Sequence, residues 1–491
     1  MQNYKSLRIT PQKITNNSIN VKKGYAFCAY PGKINDGREF IDHAISNGAS
    51  LIMYEEANFD ATPFLKKYPK IKFLGVLNLA RKQKKILDKV YGNLNRRIKL
   101  YGVTGTNGKT STAFWLNHLL GKLEKTSKLI GTISREKVII NTTPDLFVLY
   151  SLFNKGIQKN IQNFVLEVSS HGVDQGRLHE LNFEYGIFTN LSRDHLDYHK
   201  TMNNYFLSKE KFFLENVKKE SVINIDNSYG MRLAKNLIKL NKKIFTFGFS
   251  KEANVRIINM KQQSLNNNFS EFSLQIANKI HNFKTNIMGE FNLYNLISAI
   301  CICYLKKIDI NKVIEVIKRL PLPDGRMNVI NKNINNIPKK VIIDYAHTPD
   351  GLKNLLQAIR KIYQGKIVLV FGCGGDRDKG KRKLMGNVAN NYADFVCITN
   401  DNPRNENPKL IADQVSESIS CLKKVILDRK KAIQYAIKKT NYPIVVIAGK
   451  GHEKYQDVAG ERIPFDDYLV AEECLKTFNF HLSECQGSIN V

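Results

Sequence analysis

Lys109 and Thr110 stand in Thr104-Gly105-Thr106-Asn107-Gly108-Lys109-Thr110-Ser111-Thr112, a spacing suited to holding a triphosphate. Glycines let the N–H groups of a turn point inward, and a helix starting there adds the positive end of its dipole. Lys109 would reach the β- and γ-phosphates and the Thr110 hydroxyl would ligate Mg²⁺. Gly105, Thr106, Asn107, Gly108 and Ser111 would complete the cradle. A strict phosphate-loop pattern wants glycine five places before Gly108; this chain has Val103 there, and its glycines stand at 102 and 105. The variant points away from GTPases and ATPase motors. A glycine turn that merely caps a helix is the bland alternative, and the Gly-Lys-Thr-Ser run argues against it.

Five further clusters carry chemistry. Glu167 ends an apolar run and would share Mg²⁺ with Thr110. Ser169, Gln175 and Arg177 follow it and would read an anionic substrate, Arg177 by bidentate bonds to a carboxylate or phosphate. His195 follows another strand end and precedes a helix carrying Lys209, which suggests a second metal site. A lysine serves there only if its charge is removed, as carbamylation by CO₂ would do. Asp344 and His347 close the first strand of the last third and would face the nucleotide. The stretch 372–382 is glycine-rich and basic, suited to phosphate or carboxylate, and is not a dinucleotide fingerprint. Asp401-Asn402-Pro403-Arg404 and Gly449-Lys450-Gly451-His452-Glu453 end later strands. An arginine and a glutamate on neighbouring loops would grip the carboxylate and ammonium of an amino acid. For Glu167 alone a polar surface loop is the simpler reading, and the whole 167–177 cluster argues against it.

Positioning these residues requires an α/β fold of apolar strands alternating with helices, with sites at the carboxyl ends of parallel strands. Residues 1–97 read as a small α/β module. Residues 98–326 open with the phosphate loop and continue with strand-like runs at 164–168, 185–189, 222–225 and 244–247. Residues 327–491 hold buried-strand runs at 341–343, 367–371, 395–399 and 444–448. The junctions near 95–98 and 321–328 carry the glycine and proline expected of hinges.

The length of 491 residues implies two to four domains, and 43% hydrophobic residues are ample for buried cores. No apolar run reaches transmembrane length, and the polar start Met1-Gln2-Asn3-Tyr4-Lys5 lacks a signal-peptide core, so a cytoplasmic protein is expected. Cysteines at 28, 301, 303, 373, 397, 421, 474 and 485 show no CxxC pair and read as reduced core residues. The net charge of +31 would suit nucleic acid, yet lysines are spread through the chain in segments such as Asn331-Lys332-Asn333-Ile334-Asn335-Asn336. No stripe of base-reading or stacking residues accompanies them, so nucleic acid is not expected as a partner.

Together these motifs resemble the Mur ligases, the ATP-dependent amide-forming enzymes of peptidoglycan precursor synthesis. The resemblance rests on blocks at 102–112, 167–177, 189–198, 289–295, 324–327 and 344–349, in family order across nearly the whole chain. It implies three domains: an N-terminal uridine-binding module (1–97), a central P-loop ATPase-like parallel-sheet domain (98–326) and a C-terminal Rossmann-like domain (327–491) that binds an amino acid. Asn141-Thr142-Thr143-Pro144-Asp145, Ser169-Ser170-His171, Asp401–Arg404 and Gly449–Glu453 match the members that add a diamino acid. Their Asp-Asn-Pro-Arg form implies meso-diaminopimelate, whose extra carboxylate meets the arginine; addition of L-lysine is the neighbouring alternative.

The resemblance also assigns roles. Lys109, Thr110, Glu167 and His195 would serve ATP and Mg²⁺, with Lys209 carbamylated as a metal ligand. Asn295, Arg326 and Asp344 would contact the nucleotide, with His347 nearby. Thr142, Thr143, Ser169, Gln175 and Arg177 would hold UDP-N-acetylmuramoyl-L-alanyl-D-glutamate, with Ser18 in the uridine module. Arg377, Asp401, Asn402, Pro403, Arg404, Gly449 and Glu453 would hold meso-diaminopimelate. A monomer without membrane insertion is implied. Two departures are visible: the family's Asp-Ser-Arg block reads Asn17-Ser18-Ile19 here, and Ser208 precedes Lys209 where alanine is usual.

Overall fold

The computed structural model describes residues 11, 13–32, 35–124, 126–133, 141–262, 269–334 and 337–477. Met1 to Lys5, Asn335, Asn336 and Cys485 lie outside them. The chain divides into two compact units: 1–102 with 120–186 and 208–220, and 103–119 with 187–207 and 221–491. The strands Lys99–Thr104, Phe183–Phe188 and Val217–Asn224 each begin in the first unit and end in the second.

In the first unit, strands Ile14–Thr15, Tyr25–Ala29, Ala49–Glu55 and Lys72–Val76 lie side by side in that order, all parallel. Phe27, Ala29 and Ile52 bury one face against Ile41 and Ala44 of the helix Ile41–Ser46. Ser127–Ile130 pairs in parallel with Asn163–Glu167, the strand that delivers Glu167 at its last residue. The helix Leu146–Ile157 starts where Asp145 accepts hydrogen bonds from the N–H groups of Phe147 (2.9 Å) and Val148 (3.1 Å).

In the second unit, Val217–Asn224 pairs in parallel with Ile244–Gly248, which pairs in parallel with Val255–Gln262. An antiparallel meander through Ser270–Ile276 and Lys279–Thr285 completes this run. That meander departs from the expected strand–helix alternation, because its strands alternate buried and half-exposed residues instead of forming apolar runs.

The last third folds on a six-stranded sheet ordered Asn328–Ile334, Ile337–Asp344, Ile444–Ala448, Ile367–Phe371, Phe395–Ile398 and Leu422–Val425. All neighbours are parallel except the first pair. Ile342, Leu369, Phe371 and Val446 face one buried core, and Val341, Ile343, Val368, Val370 and Ile447 face another. Burial on both faces explains why these strands read as continuous apolar runs. The edge strands Asn328–Ile334 and Leu422–Val425 are polar, the latter exposed throughout, and carry lysines that discourage edge pairing. The described part of the lysine- and asparagine-rich run, from Asn331 to Ile334, is strand.

Of the eight cysteines, seven are described, all free thiols; six are buried and Cys421 is half-buried. No described helix is long and apolar enough to cross a membrane.

Candidate active site

The strand Lys99–Thr104 runs into the phosphate loop, and the helix Lys109–Leu123 leaves it. Gly102 belongs to the strand and not to the loop. A Cβ there would lie 2.4 Å from the Phe212 ring, so this glycine serves packing. The loop is held from outside by residues 189–192. Thr106 N donates to Asn190 O (3.0 Å), Asn107 N donates to Asn190 Oδ1 (3.0 Å), and Thr189 Oγ1 donates to Asn107 O (2.7 Å). Gly108 has φ +85, and a Cβ on it would meet Asn295 Oδ1 at 2.1 Å, which places the buried Asn295 directly against the loop. Lys109 Nζ donates to the carbonyls of Gly105 and Thr106, both at 2.8 Å. Ser111 is buried in the first turn of the helix.

Residues far along the chain converge here. Arg326 Nη2 donates to Thr110 Oγ1 (3.2 Å), its guanidinium stacks on the Tyr345 ring at 4.4 Å, and its buried Nη1 has no partner. A buried guanidinium nitrogen aimed past Thr110 suits an anionic group such as a phosphate. Asp344 accepts from the N–H groups of Met327 and Ala346, both at 2.8 Å. Burial raises its carboxyl above the ordinary range, against the opposing pull of Arg326 and those two N–H groups. Asn107 Nδ2 donates to Asp350 Oδ2 (3.0 Å), and Thr348 Oγ1, which caps the helix Pro349–Ile362, donates to Asn107 Oδ1 (3.1 Å).

Asp194 is the group that its sequence context concealed. Its buried carboxylate lies 3.3 Å from Lys381 Nζ, 3.4 Å from His195 Nε2 and 3.7 Å from His347 Nε2. Burial alone would raise this carboxyl, but Lys381, His195 and His347 together hold it well below the usual range. His195 itself has φ 55, the left-handed region, at the start of the short helix Leu196–His199. The neighbouring His195 was the only signal for Asp194.

The loops after the sheet strands of the last third make one network. Gly375 N donates to Asn402 O (2.9 Å), and Cβ atoms on Gly372 and Gly375 would each lie 1.9 Å from a carbonyl, of Thr399 and Pro403. Gly372 and Gly375 therefore serve close backbone-to-backbone packing. Arg404, at φ 51, donates through Nη1 to Gly375 O (2.7 Å) and lies 3.8 Å from Asp457 Oδ2. Arg377 is half-exposed, 4.0 Å from Asp197. Asp401 Oδ2 is buried without a partner, beside Gly449. Asn402 Nδ2 donates to Glu453 Oε2 (2.9 Å), and the Tyr345 hydroxyl donates to Glu453 Oε1 (3.3 Å).

A second cluster lies within the first unit. Thr143 Oγ1 donates to Glu167 O (2.9 Å) and sits 3.0 Å from Ser169 Oγ. Arg177 donates to Thr143 O (2.8 Å) and to Gln175 Oε1 (2.6 Å). The buried Glu167 carboxylate accepts from Thr132 N (2.8 Å) and from Thr132 Oγ1 (3.3 Å), and Thr132 Oγ1 also lies 3.4 Å from Thr142 Oγ1. Lys209, 1% exposed, and Ser18, bonded to His43 Nδ1 at 3.0 Å, belong to the same unit. Among the described residues, no group of three or more His, Cys, Asp or Glu could by itself hold a metal ion.

Comparison with known proteins identifies the family. The Mur ligase middle domain matches residues 103–303, and the Mur ligase glutamate ligase domain matches 325–451. The chain is 39% identical over 472 residues to the UDP-N-acetylmuramoyl-L-alanyl-D-glutamate--2,6-diaminopimelate ligase of Aquifex aeolicus, covering 94% of this chain and 93% of that protein. The enzyme of the same name from Clostridium botulinum is 38% identical, covering 95% of each. A solved UDP-N-acetylmuramoyl-L-alanyl-D-glutamate--2,6-diaminopimelate ligase is 29% identical with a TM-score of 0.64, covering 95% of each chain. The MurF ligase of Thermotoga maritima, solved with ADP, shares the fold at TM-score 0.63 and 17% identity, covering 97% of this chain and 99% of that one. On its sequence, its fold and the order of its motifs, the chain belongs to the Mur ligase family.

Proposed function

We propose that this chain is an ATP-dependent amide ligase that joins meso-diaminopimelate to the D-glutamate of UDP-N-acetylmuramoyl-L-alanyl-D-glutamate, in peptidoglycan precursor synthesis. The observation that carries this reading is the loop 324–326, which lies against two sites at once. Arg326 reaches Thr110 of the phosphate loop, and a Cβ on Gly325 would lie 2.1 Å from His452 N in the loop that holds Glu453. A nucleotide and an amino acid held on either side of one short loop suit a reaction that spends ATP to make an amide.

The chemistry follows from the poor acyl-donor character of a carboxylate. The D-glutamyl side-chain carboxylate attacks the γ-phosphorus and ADP leaves, giving an acyl phosphate. The neutral amine of the diamino acid adds to its carbonyl carbon; the tetrahedral adduct expels inorganic phosphate and the nitrogen releases a proton. No enzyme nucleophile is needed, so catalysis is positioning and charge neutralisation. Lys109 and Arg326 neutralise the transferring phosphoryl group, Asn295, Asp344 and His347 hold the nucleotide, and Thr142, Thr143, Ser169, Gln175 and Arg177 orient the dipeptide. Arg377, Arg404, Asp401, Asn402 and Glu453 take the charged ends of the diamino acid. In this reading residues 1–97, with Ser18, hold the uridine end, 98–326 the ATP, and 327–491 the amine.

By donor type, the Thr110 hydroxyl, the Glu167 carboxylate, the His195 imidazole and, once carbamylated, Lys209 suit Mg²⁺. Few protein carboxylates are needed, because magnesium in such sites is held largely by substrate phosphates and water. When bound it would neutralise charge on the phosphates. The test is incubation with ATP, Mg²⁺, the UDP-muramoyl dipeptide and either meso-diaminopimelate or L-lysine, with product mass as readout. A diaminopimelate adduct formed with ADP release is expected; a lysine adduct alone would reassign the amine, and no adduct would overturn the reading.

A further inference from the structure

We infer that Lys450 is a positioning residue that sets the affinity of the site for the amine substrate by orienting Asn402 and Glu453. This rests on the reading above, in which those two side chains hold the diamino acid. Lys450 has a side chain of 0% exposure, in the loop that also carries Gly449 and Glu453. Its ammonium donates to Asn402 Oδ1 (2.9 Å) and to Glu453 Oε2 (2.9 Å), and lies 5.6 Å from the Tyr455 ring centre. A fully buried ammonium is costly unless paired and hydrogen-bonded, so this placement demands both partners.

The hydrogen-bond inventory shows what Lys450 decides. Asn402 Oδ1 accepts from Lys450 Nζ and also from Asp457 N (2.9 Å), which saturates the oxygen and fixes which way the amide is flipped. The amide nitrogen is then forced toward Glu453 Oε2 (2.9 Å). Oε2 thereby receives two donors, leaving Oε1, which accepts from the Tyr345 hydroxyl at 3.3 Å, as the oxygen with capacity for a substrate ammonium. Without Lys450 the Asn402 oxygen keeps only the Asp457 N–H as its donor, and Glu453 loses the cation that anchors one oxygen. The backbone of the Lys450 loop is held independently: Gly449 N donates to Asp344 O (3.1 Å) and Glu453 N donates to Lys450 O (2.9 Å). Removing the Lys450 charge should therefore disturb side-chain orientation more than the loop itself.

The test is a double-mutant cycle on Lys450→Met and Glu453→Gln, measured by steady-state kinetics with each substrate varied in turn and by thermal melting. Lys450→Met is expected to raise KM for meso-diaminopimelate about tenfold to a hundredfold, as for loss of hydrogen bonds to a charged group. KM for ATP and for the UDP-muramoyl dipeptide should stay within about twofold, which a general folding defect would not allow. In the Glu453→Gln background, Lys450→Met should change KM for the amine by less than about threefold, because it acts through the residue already altered. The double variant carries no uncompensated buried charge at the pair, so it covers the case in which Lys450→Met alone does not fold. Additive effects in the cycle, or an unchanged amine KM in a folded Lys450→Met, would overturn the inference. Absence of wild-type turnover with either amine would instead take down the reading on which it rests, and the inference with it.

Discussion

At the scale of single residues, charge placement separates the roles. Lys109 is bonded to two loop carbonyls, which in the proposed reading it exchanges for phosphate oxygens. Lys109→Ala should lower kcat by about a hundredfold to a thousandfold, as for other lost transition-state donors, and near-normal phosphate release would contradict the ATP site. Arg404 is held by Gly375 O and Asp457 in a left-handed backbone conformation, an uncommon state for a residue with a side chain. Such strain often marks a functional position. Arg404→Ala should raise KM for meso-diaminopimelate about tenfold to a hundredfold and shrink the preference over L-lysine, since in the proposed reading the lost partner is the second carboxylate. An unchanged preference in competition assays would remove Arg404 from specificity. His195 was legible as a candidate from its strand-end position. Asp194 beside it was not, because nothing local to an aspartate reveals that Lys381, 187 positions away, will neutralise it.

At the scale of elements, the loops are set by what packs behind them. Gly102 shows this most directly. In the sequence it looks like part of the glycine-rich turn, yet it lies in the strand Lys99–Thr104 under Phe183 and Phe212. Gly102→Ala should destabilise by about 1–3 kcal/mol, the usual cost of overpacking, seen as a lower Tm with ATP affinity largely kept. A large loss of ATP affinity at unchanged Tm would return Gly102 to the loop. The buried parallel strands of the last third were legible because covering both faces demands uninterrupted apolar residues. Ile367–Phe371 and Ile444–Ala448 coincide with the apolar runs read from sequence. The meander from Val255 to Thr285 and the polar edge strands Asn328–Ile334 and Leu422–Val425 escaped that reading, since a half-exposed or edge strand needs no such run.

At the scale of the whole molecule, the charge of +31 is spread along the chain, and its sharpest consequence is local to buried groups. His452 is pushed down from 6.5 to about 3, first by burial and then by Arg326, His347 and Lys450. Between those two values the unfolded chain binds a proton that the folded chain refuses. Stability from this group is therefore present above pH 6.5 and falls as the solution is acidified toward pH 3. The slope contributed should approach about 1.4 kcal/mol per pH unit, and His452→Gln should flatten acid unfolding over that window in denaturant titrations. An unaltered pH dependence would mean that His452 accepts a proton in the folded state. What the sequence determined by itself was the α/β class, the apolar strands and the chemistry ending each of them, because these depend on residue type and short-range period. Which side chains meet was decided by tertiary structure alone. Arg326 reaches Thr110 across 216 positions, and Lys450 turns Asn402 toward Glu453, because a charged group buried by distant elements must take its partners from whatever those elements bring to it.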